Sequence, residues 1–151
     1  MYALQLACWK GAHVIATASA ANLDLARTLG AEELIDYGSV RFETVLHDLD
    51  AVIDTVGGDT AERAIQVLRP DGILVSIAGR LPPELGKAAG VRAMNAGRAP
   101  ASNLKQISGL VNTGQLTPVV GKVFKLAEVR QAHELSQTGH GRGRIILQMG
   151  E

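Results

Sequence analysis

The sequence is poor in the residues that build metal and redox centres. It has one cysteine, Cys8, in 151 residues, which excludes an internal disulfide and a multi-cysteine zinc cluster. Its histidines, His13, His47, His133 and His140, are scattered. No HExxH, CxxC or HxxxH spacing occurs, so no metal is expected. No Ser-His-acid set can be assembled either. Charge of either sign is not in excess, with 15 Lys and Arg against 15 Asp and Glu. That balance argues against a nucleic-acid-binding surface. No apolar run approaches the ~18 residues that would cross a bilayer, so no membrane partner is expected. The start lacks the basic stretch and small-residue cleavage site of a signal peptide. The expected location is therefore the cytoplasm. Internal repeats, low-complexity tracts and long linkers are also missing.

What is present is an alternation. Hydrophobic residues make up 46% of the chain, enough for one sizeable core. "MYALQLACWKG" has helical apolar spacing and stops at Gly11; "HVIATAS" reads as a strand. "AANLDLARTLGA" is helical and stops at Gly30, and "EELIDY" is extended. "SVRFETVLHDL" predicts a helix with Ser39 as N-cap and Glu43 in support. "DAVIDTV" is a strand, "DTAERAIQVLRP" a helix ending before Pro70, and "GILVSIAG" a strand apolar enough to be buried on both faces. "RLPPELGKAAG" reads as a loop with a short helix, and "VRAMNAG" as a weak strand. "ASNLKQISGLVNTG" is a helix, "TPVVGKVFKL" extended, "AEVRQAHELSQTG" a helix, and "RGRIILQM" a closing strand. Strand alternating with helix through short loops specifies a parallel sheet covered by helices. In such folds ligands bind beyond the carboxyl ends of the strands.

The strand ends therefore hold the candidate functional residues. Ser19 closes the first strand, where an acid would favour the ribose hydroxyls of NAD; none occurs before Asp24. A small hydroxyl leaves room for a 2′-phosphate and points to NADP. The local alternative is an N-cap for the next helix. Tyr37 closes "EELIDY" and could stack on an adenine or bond a phosphate; the alternative is a half-buried aromatic at a strand end. "DTVGGD", residues 54–59, places Gly57 and Gly58 where backbone can approach a ligand, or where a tight turn is needed. "SIAG", residues 76–79, would leave space for a flat ring or make a turn. "GHGRGR", residues 139–144, has the wrong spacing and position for a dinucleotide fingerprint. It reads as a solvated loop, with Arg142 and Arg144 as cations that could reach a phosphate.

In order, "GAHVIATAS", "LARTLGAEELIDY", "DAVIDTVGGDTAERAIQVLRPDGILVSIAG" and "VVGKVFKLAEVRQAHELSQTGHGRGRIIL" resemble the cofactor-binding half of a medium-chain dehydrogenase/reductase. The branch is that of quinone oxidoreductases and zinc-binding alcohol dehydrogenase-like proteins. The resemblance covers nearly the whole chain. It implies a Rossmann-like, doubly wound α/β fold with a mostly parallel sheet, and residues 1–151 as a single, partial dinucleotide-binding domain. It also implies that "YALQLACWKGA" matches the helix after the family's first strand and glycine-rich loop. On that reading the loop, the strand and the preceding catalytic domain are not in this chain. "HVIATAS" and "DAVIDTV" would then pair with each other, leave a gap or recruit a strand from elsewhere. Weak cofactor binding is the corresponding expectation.

By position, the resemblance puts Ser19 and Tyr37 at the adenosine end of NADP(H), with NAD(H) as the alternative cofactor. Thr55, Val56, Gly57 and Gly58 would lie along its middle, and Ile77, Ala78 and Gly79 beside the nicotinamide. No catalytic residue is assigned. The implied reaction of the complete enzyme is hydride transfer to a small-molecule substrate, a quinone or activated carbonyl. Two departures stand out. Leu23 occupies a place where many relatives have a lysine for the 2′-phosphate. "GVRAMNAGRAP" is poor in β-formers for the strand through which relatives dimerise, although a homodimer is left open. Two other readings compete. "LRPDGILVSI" also resembles a late strand of S-adenosylmethionine-dependent methyltransferases, but their early glycine motif and second-strand acid are not found. The chain could also be a non-catalytic fragment acting through strand-mediated oligomerisation.

Overall fold

A computed structural model describes residues 1–139 and 141–150. The expected alternation is there. α1 (Tyr2–Trp9) leads to β1 (Ile15–Ala18), a 3₁₀ turn (Ala20–Asn22), α2 (Leu23–Thr28) and β2 (Glu33–Asp36). β3 (Leu49–Asp54), α3 (Asp59–Ile65), β4 (Leu68–Ser76) and β5 (Arg92–Asn95) follow. The chain closes with α4 (Ala101–Asn112), β6 (Val120–Lys125), α5 (Val129–Gln137) and β7 (Arg144–Gln148). The fold is mixed α/β. Its strands fall into three sheets, β1-β2, β3-β4-β5 and β6-β7. β3, β4 and β5 are mutually parallel, as are β6 and β7. Of the arrangements open to the first and third strands, pairing with each other is not the one seen, because β1 pairs with β2 and β3 with β4.

The chain clusters into two compact units, Ile35–Pro100 and a second made of Met1–Leu34 with the chain from Ala101 onward. The first is built around β4. Leu74 is fully buried, and it packs with Phe42, Ala61, Ala64, Ile65, Val67, Leu68, Leu81 and Val91. Ala61, Ala64 and Ile65 share a face of α3 at helical spacing, which is why that short helix seats on the sheet. The apolar run of β4 alternates fully buried with half-buried residues from Gly72 to Ser76, as a central strand should. β4 begins earlier than expected, at Leu68, and α3 ends at Ile65. The segment Arg69–Gly72 bulges out of register against Asp50, and Asp71 takes φ 63° there.

In the other unit, Gln5 is buried and its amide mimics a strand neighbour. Its Oε1 accepts from the Thr117 N–H at 2.8 Å, and its Nε2 donates to the Thr117 carbonyl at 3.1 Å. The Cys8 thiol donates to the Gly30 carbonyl at 3.0 Å, so it serves packing between α1 and the end of α2.

One expected helix is absent. Of the expected span 39–49, residues 39–48 hold only a 3₁₀ turn, Phe42–Thr44, and Leu49 already begins β3. Asp36 explains this: its carboxylate accepts from the Gly38 N–H (2.9 Å) and the Ser39 hydroxyl (2.8 Å). The would-be cap is held in a side-chain turn instead. Glu43 does not complete a capping box; it pairs with Arg41 and Arg63.

Candidate functional site

Parallel pairing puts the carboxyl ends of β3, β4 and β5 side by side, with Asp54 opposite Ser76 and Ser76 opposite Asn95. Seven of the nine candidate residues leave from this edge. Thr55, Val56, Gly57 and Gly58 follow β3, and Ile77, Ala78 and Gly79 follow β4. Val56 is 71% exposed and Ile77 64%. Two large apolar side chains thus stand in solvent at the mouth of a sheet whose interior is filled by Leu74.

Three polar residues to which sequence reasoning gave no role of their own hold these loops, although Asp54 and Ser76 open the stretches "DTVGGD" and "SIAG". Asp54 is buried; one carboxylate oxygen accepts from the N–H groups of Val56 and Gly57, both at 2.9 Å. The other accepts from the Ser76 hydroxyl at 2.6 Å. Burial pushes the Asp54 carboxyl up, but the bonds from Gly57, Ser76 and Val56 outweigh it and hold it below the usual carboxylate range. The Ser76 oxygen also accepts from the Ala78 N–H at 3.2 Å. Asn95 closes the third side: its Nδ2 donates to the Gly79 carbonyl at 2.7 Å, and its Oδ1 accepts from the Leu81 N–H at 3.1 Å. A strand ending in an acid three residues before a pair of glycines was the available signal.

The glycines have two separate jobs. Gly57 (φ 81°) is where the loops touch, since a Cβ there would lie 2.6 Å from the Ala78 carbonyl oxygen. Gly58 (φ 57°) and Gly79 (φ 74°) have no heavy atom within 4 Å of where a Cβ would stand, so bare backbone faces open space. Both line a cleft of about 210 Å³ with Ala61, Glu62, Ala78 and Arg80. Of the seven candidates at this edge, Gly58, Ala78 and Gly79 line the cleft, whose larger apolar lining residues are Leu81, Pro82 and Leu85; Thr55, Val56, Gly57 and Ile77 stand beside it without lining it. The cleft is a shallow groove that can accept a flat or extended ligand, and it supplies no nucleophile and base at hydrogen-bonding distance.

The remaining two candidates lie elsewhere. Tyr37 follows β2 and is 63% exposed. Ser19 follows β1, half-buried, at the head of the 3₁₀ turn, where its side chain makes no capping bond. Its oxygen instead accepts from the Asn22 amide at 3.1 Å. In "GHGRGR", His140 is outside the described residues. Arg144 begins β7 with its guanidinium over the Tyr2 ring, and Arg142 donates to Asn22.

A family profile described as zinc-binding dehydrogenase matches residues 29–147. A mitochondrial NAD(P)H oxidoreductase of Danio rerio is 29% identical over 99% of this chain and 46% of its own length. A chloroplastic NADPH-dependent alkenal/one oxidoreductase of Arabidopsis thaliana is 29% identical over 89% of this chain and 33% of its own. Among solved structures, the quinone oxidoreductase from Coxiella burnetii superposes with a TM-score of 0.88 at 34% identity, covering 99% of this chain and 49% of that one. An NAD-dependent alcohol dehydrogenase gives 0.87 at 28% identity, covering 98% and 47%. The chain therefore spans less than half of the length of each of these four proteins. Among the described residues, no three of His, Cys, Asp or Glu converge as a metal site. The described residues do not fit a zinc centre.

Proposed function

The chain belongs to the zinc-binding dehydrogenase family, and from that premise we propose that it is the cofactor-binding part of an NADP(H)-dependent oxidoreductase of the quinone oxidoreductase type. The observation that carries this is the edge formed by the ends of β3 and β4. Glycine backbone faces open space there beside exposed Val56 and Ile77, in the position where doubly wound sheets receive ligands.

The residues fit a nicotinamide dinucleotide. Gly57 and Gly58 let the backbone run close to its middle, with Thr55 and Val56 alongside. Ile77, Ala78 and Gly79 provide an apolar and small-residue wall for a flat ring. The family resemblance, rather than their placement, assigns Ser19 and Tyr37 to its adenosine end. When bound, the cofactor supplies the hydride that reduces a quinone or activated carbonyl in the complete enzyme. The chain's own part is to hold the groove's shape through Asp54, Ser76 and Asn95 and to shield one face of the ring from water.

The test is a fluorescence titration of the chain with NADPH and, separately, NADH, following Trp9 and the nicotinamide. Saturable binding with NADPH preferred supports the proposal. Binding of S-adenosylmethionine and neither nucleotide would contradict it.

A further inference from the structure

A concavity at the carboxyl ends of α1 and α2 has no part in the cofactor reading. It measures about 320 Å³, and all its lining residues belong to the unit that contains both helices. From here α1 leads into β1 and α2 into β2. The concavity therefore sits at the amino ends of those two strands, whereas Ser19 leaves β1 at its other end. Small-molecule pockets run from roughly 300 Å³ upward, so this one suits a single ring with a substituent and is too small for a dinucleotide.

No charged side chain lines it, and much of its polar surface is already bonded. The Gln5 amide holds the Thr117 backbone with both ends. The Cys8 thiol donates to the Gly30 carbonyl, and the Thr28 hydroxyl to the Asp24 carbonyl at 2.9 Å. These bonds set the walls before anything binds. Two groups are left over. The Thr117 hydroxyl has no partner among the described residues. The Gln115 amide meets the Thr113 hydroxyl at 3.2 Å, but that hydroxyl has one proton and also lies 3.0 Å from the Gly109 carbonyl. Either end of the amide therefore satisfies Thr113, and the opposite end is free. Trp9, 43% exposed, supplies the broad apolar surface together with Leu29. The Lys10 ammonium lies 4.3 Å from the indole centroid, so one face of the indole is taken and a ligand ring has the other.

We propose that this concavity is a second ligand site, for an uncharged flat ring that carries an amide-like donor and acceptor. The ring stacks on Trp9, and its polar end bonds to Gln115 and Thr117. The ligand needs both a donor and an acceptor because a hydroxyl and a free amide end complement both. A carboxylate is disfavoured, since no cation lines the concavity and Lys10 is engaged with the indole. The site stands or falls independently of the cofactor reading.

The probes are benzamide and benzoate, which share a ring and differ in charge, titrated into the isotopically labelled chain and read by backbone amide NMR. Benzamide shifts the Trp9, Gly114 and Gln115 amides saturably, and does so equally with NADPH present. Benzoate binds about tenfold more weakly, because its charge finds no partner. Gln115→Ala, at an exposed position, weakens benzamide about fivefold, the scale of one neutral hydrogen bond. Trp9→Ala weakens it about tenfold, the scale of a stacked aromatic pair, and Trp9→Phe restores part of the loss. If Trp9→Ala loses its circular dichroism spectrum, Gln115→Ala and Trp9→Phe carry the test. No saturable shift at the three amides, or shifts gathered at Gly58 and Gly79 instead, overturns the site. Equal affinity for benzoate overturns the uncharged ligand class. Unchanged affinity in the folded variants overturns the roles of Trp9 and Gln115. Displacement of benzamide by NADPH overturns the independence of the site, while the NADPH titration itself decides the cofactor reading.

Discussion

Asp54 shows how one side chain can set the shape of a groove without touching what the groove holds. Its carboxylate receives two backbone N–H groups and a hydroxyl, so the turn into Gly57 and Gly58 is fixed before any ligand arrives. Because its pKa is depressed in the folded state, the stability it contributes is fully present above the unfolded carboxylate pKa of ~3.9 and is lost as pH falls through the lower folded value. Asp54→Asn replaces one of the acceptor oxygens with a donor and removes the charge. Urea unfolding at neutral pH should show a loss of about 1–3 kcal/mol. The variant's stability should also fall less steeply below pH 4 than the wild type's. Equal stability with the same acid limb would show that Asp54 does not hold the turn.

Among the elements, β4 and its neighbours were the most legible. A continuous apolar run after "LRPDG" is hard to satisfy anywhere but between two strands, and β4 lies between β3 and β5. The segment 39–49 was misread for a definable reason. Its apolar spacing suits a helix, but Asp36 lies just far enough upstream to capture Gly38 and Ser39 first. Side-chain-to-backbone competition of this kind leaves no mark in hydrophobic periodicity. The glycines of the candidate groove were visible as punctuation, but their division of labour needed geometry. Asn95 was legible only as a residue that weakens a strand, whereas it ties the loops after β4 together. Asn95→Ala should therefore leave the circular dichroism spectrum intact, lower stability by about 1 kcal/mol and weaken nicotinamide cofactor binding several-fold. Unaltered affinity would place Gly79 and Leu81 outside the ligand's reach.

For the molecule as a whole, the order of motifs carried the family, which the match over residues 29–147 bears out. Sequence order could not disclose that the strands divide into three sheets, nor that Arg142 meets Asn22. Both depend on partners far apart in the chain. The molecule also has a second concavity, of about 320 Å³, lined by Gln5, Cys8, Trp9 and Gln115. It is larger than the groove at the β3 and β4 ends, so size alone does not single out that groove. The central claim is that the cofactor site is that strand-end groove. Backbone amide NMR of the isotopically labelled chain, recorded while NADPH is added, tests it most directly. The account predicts saturable shifts at Val56, Gly57, Gly58, Ile77, Ala78 and Gly79. Shifts confined to the Gln5, Cys8 and Trp9 concavity, with those six amides unmoved, would contradict it.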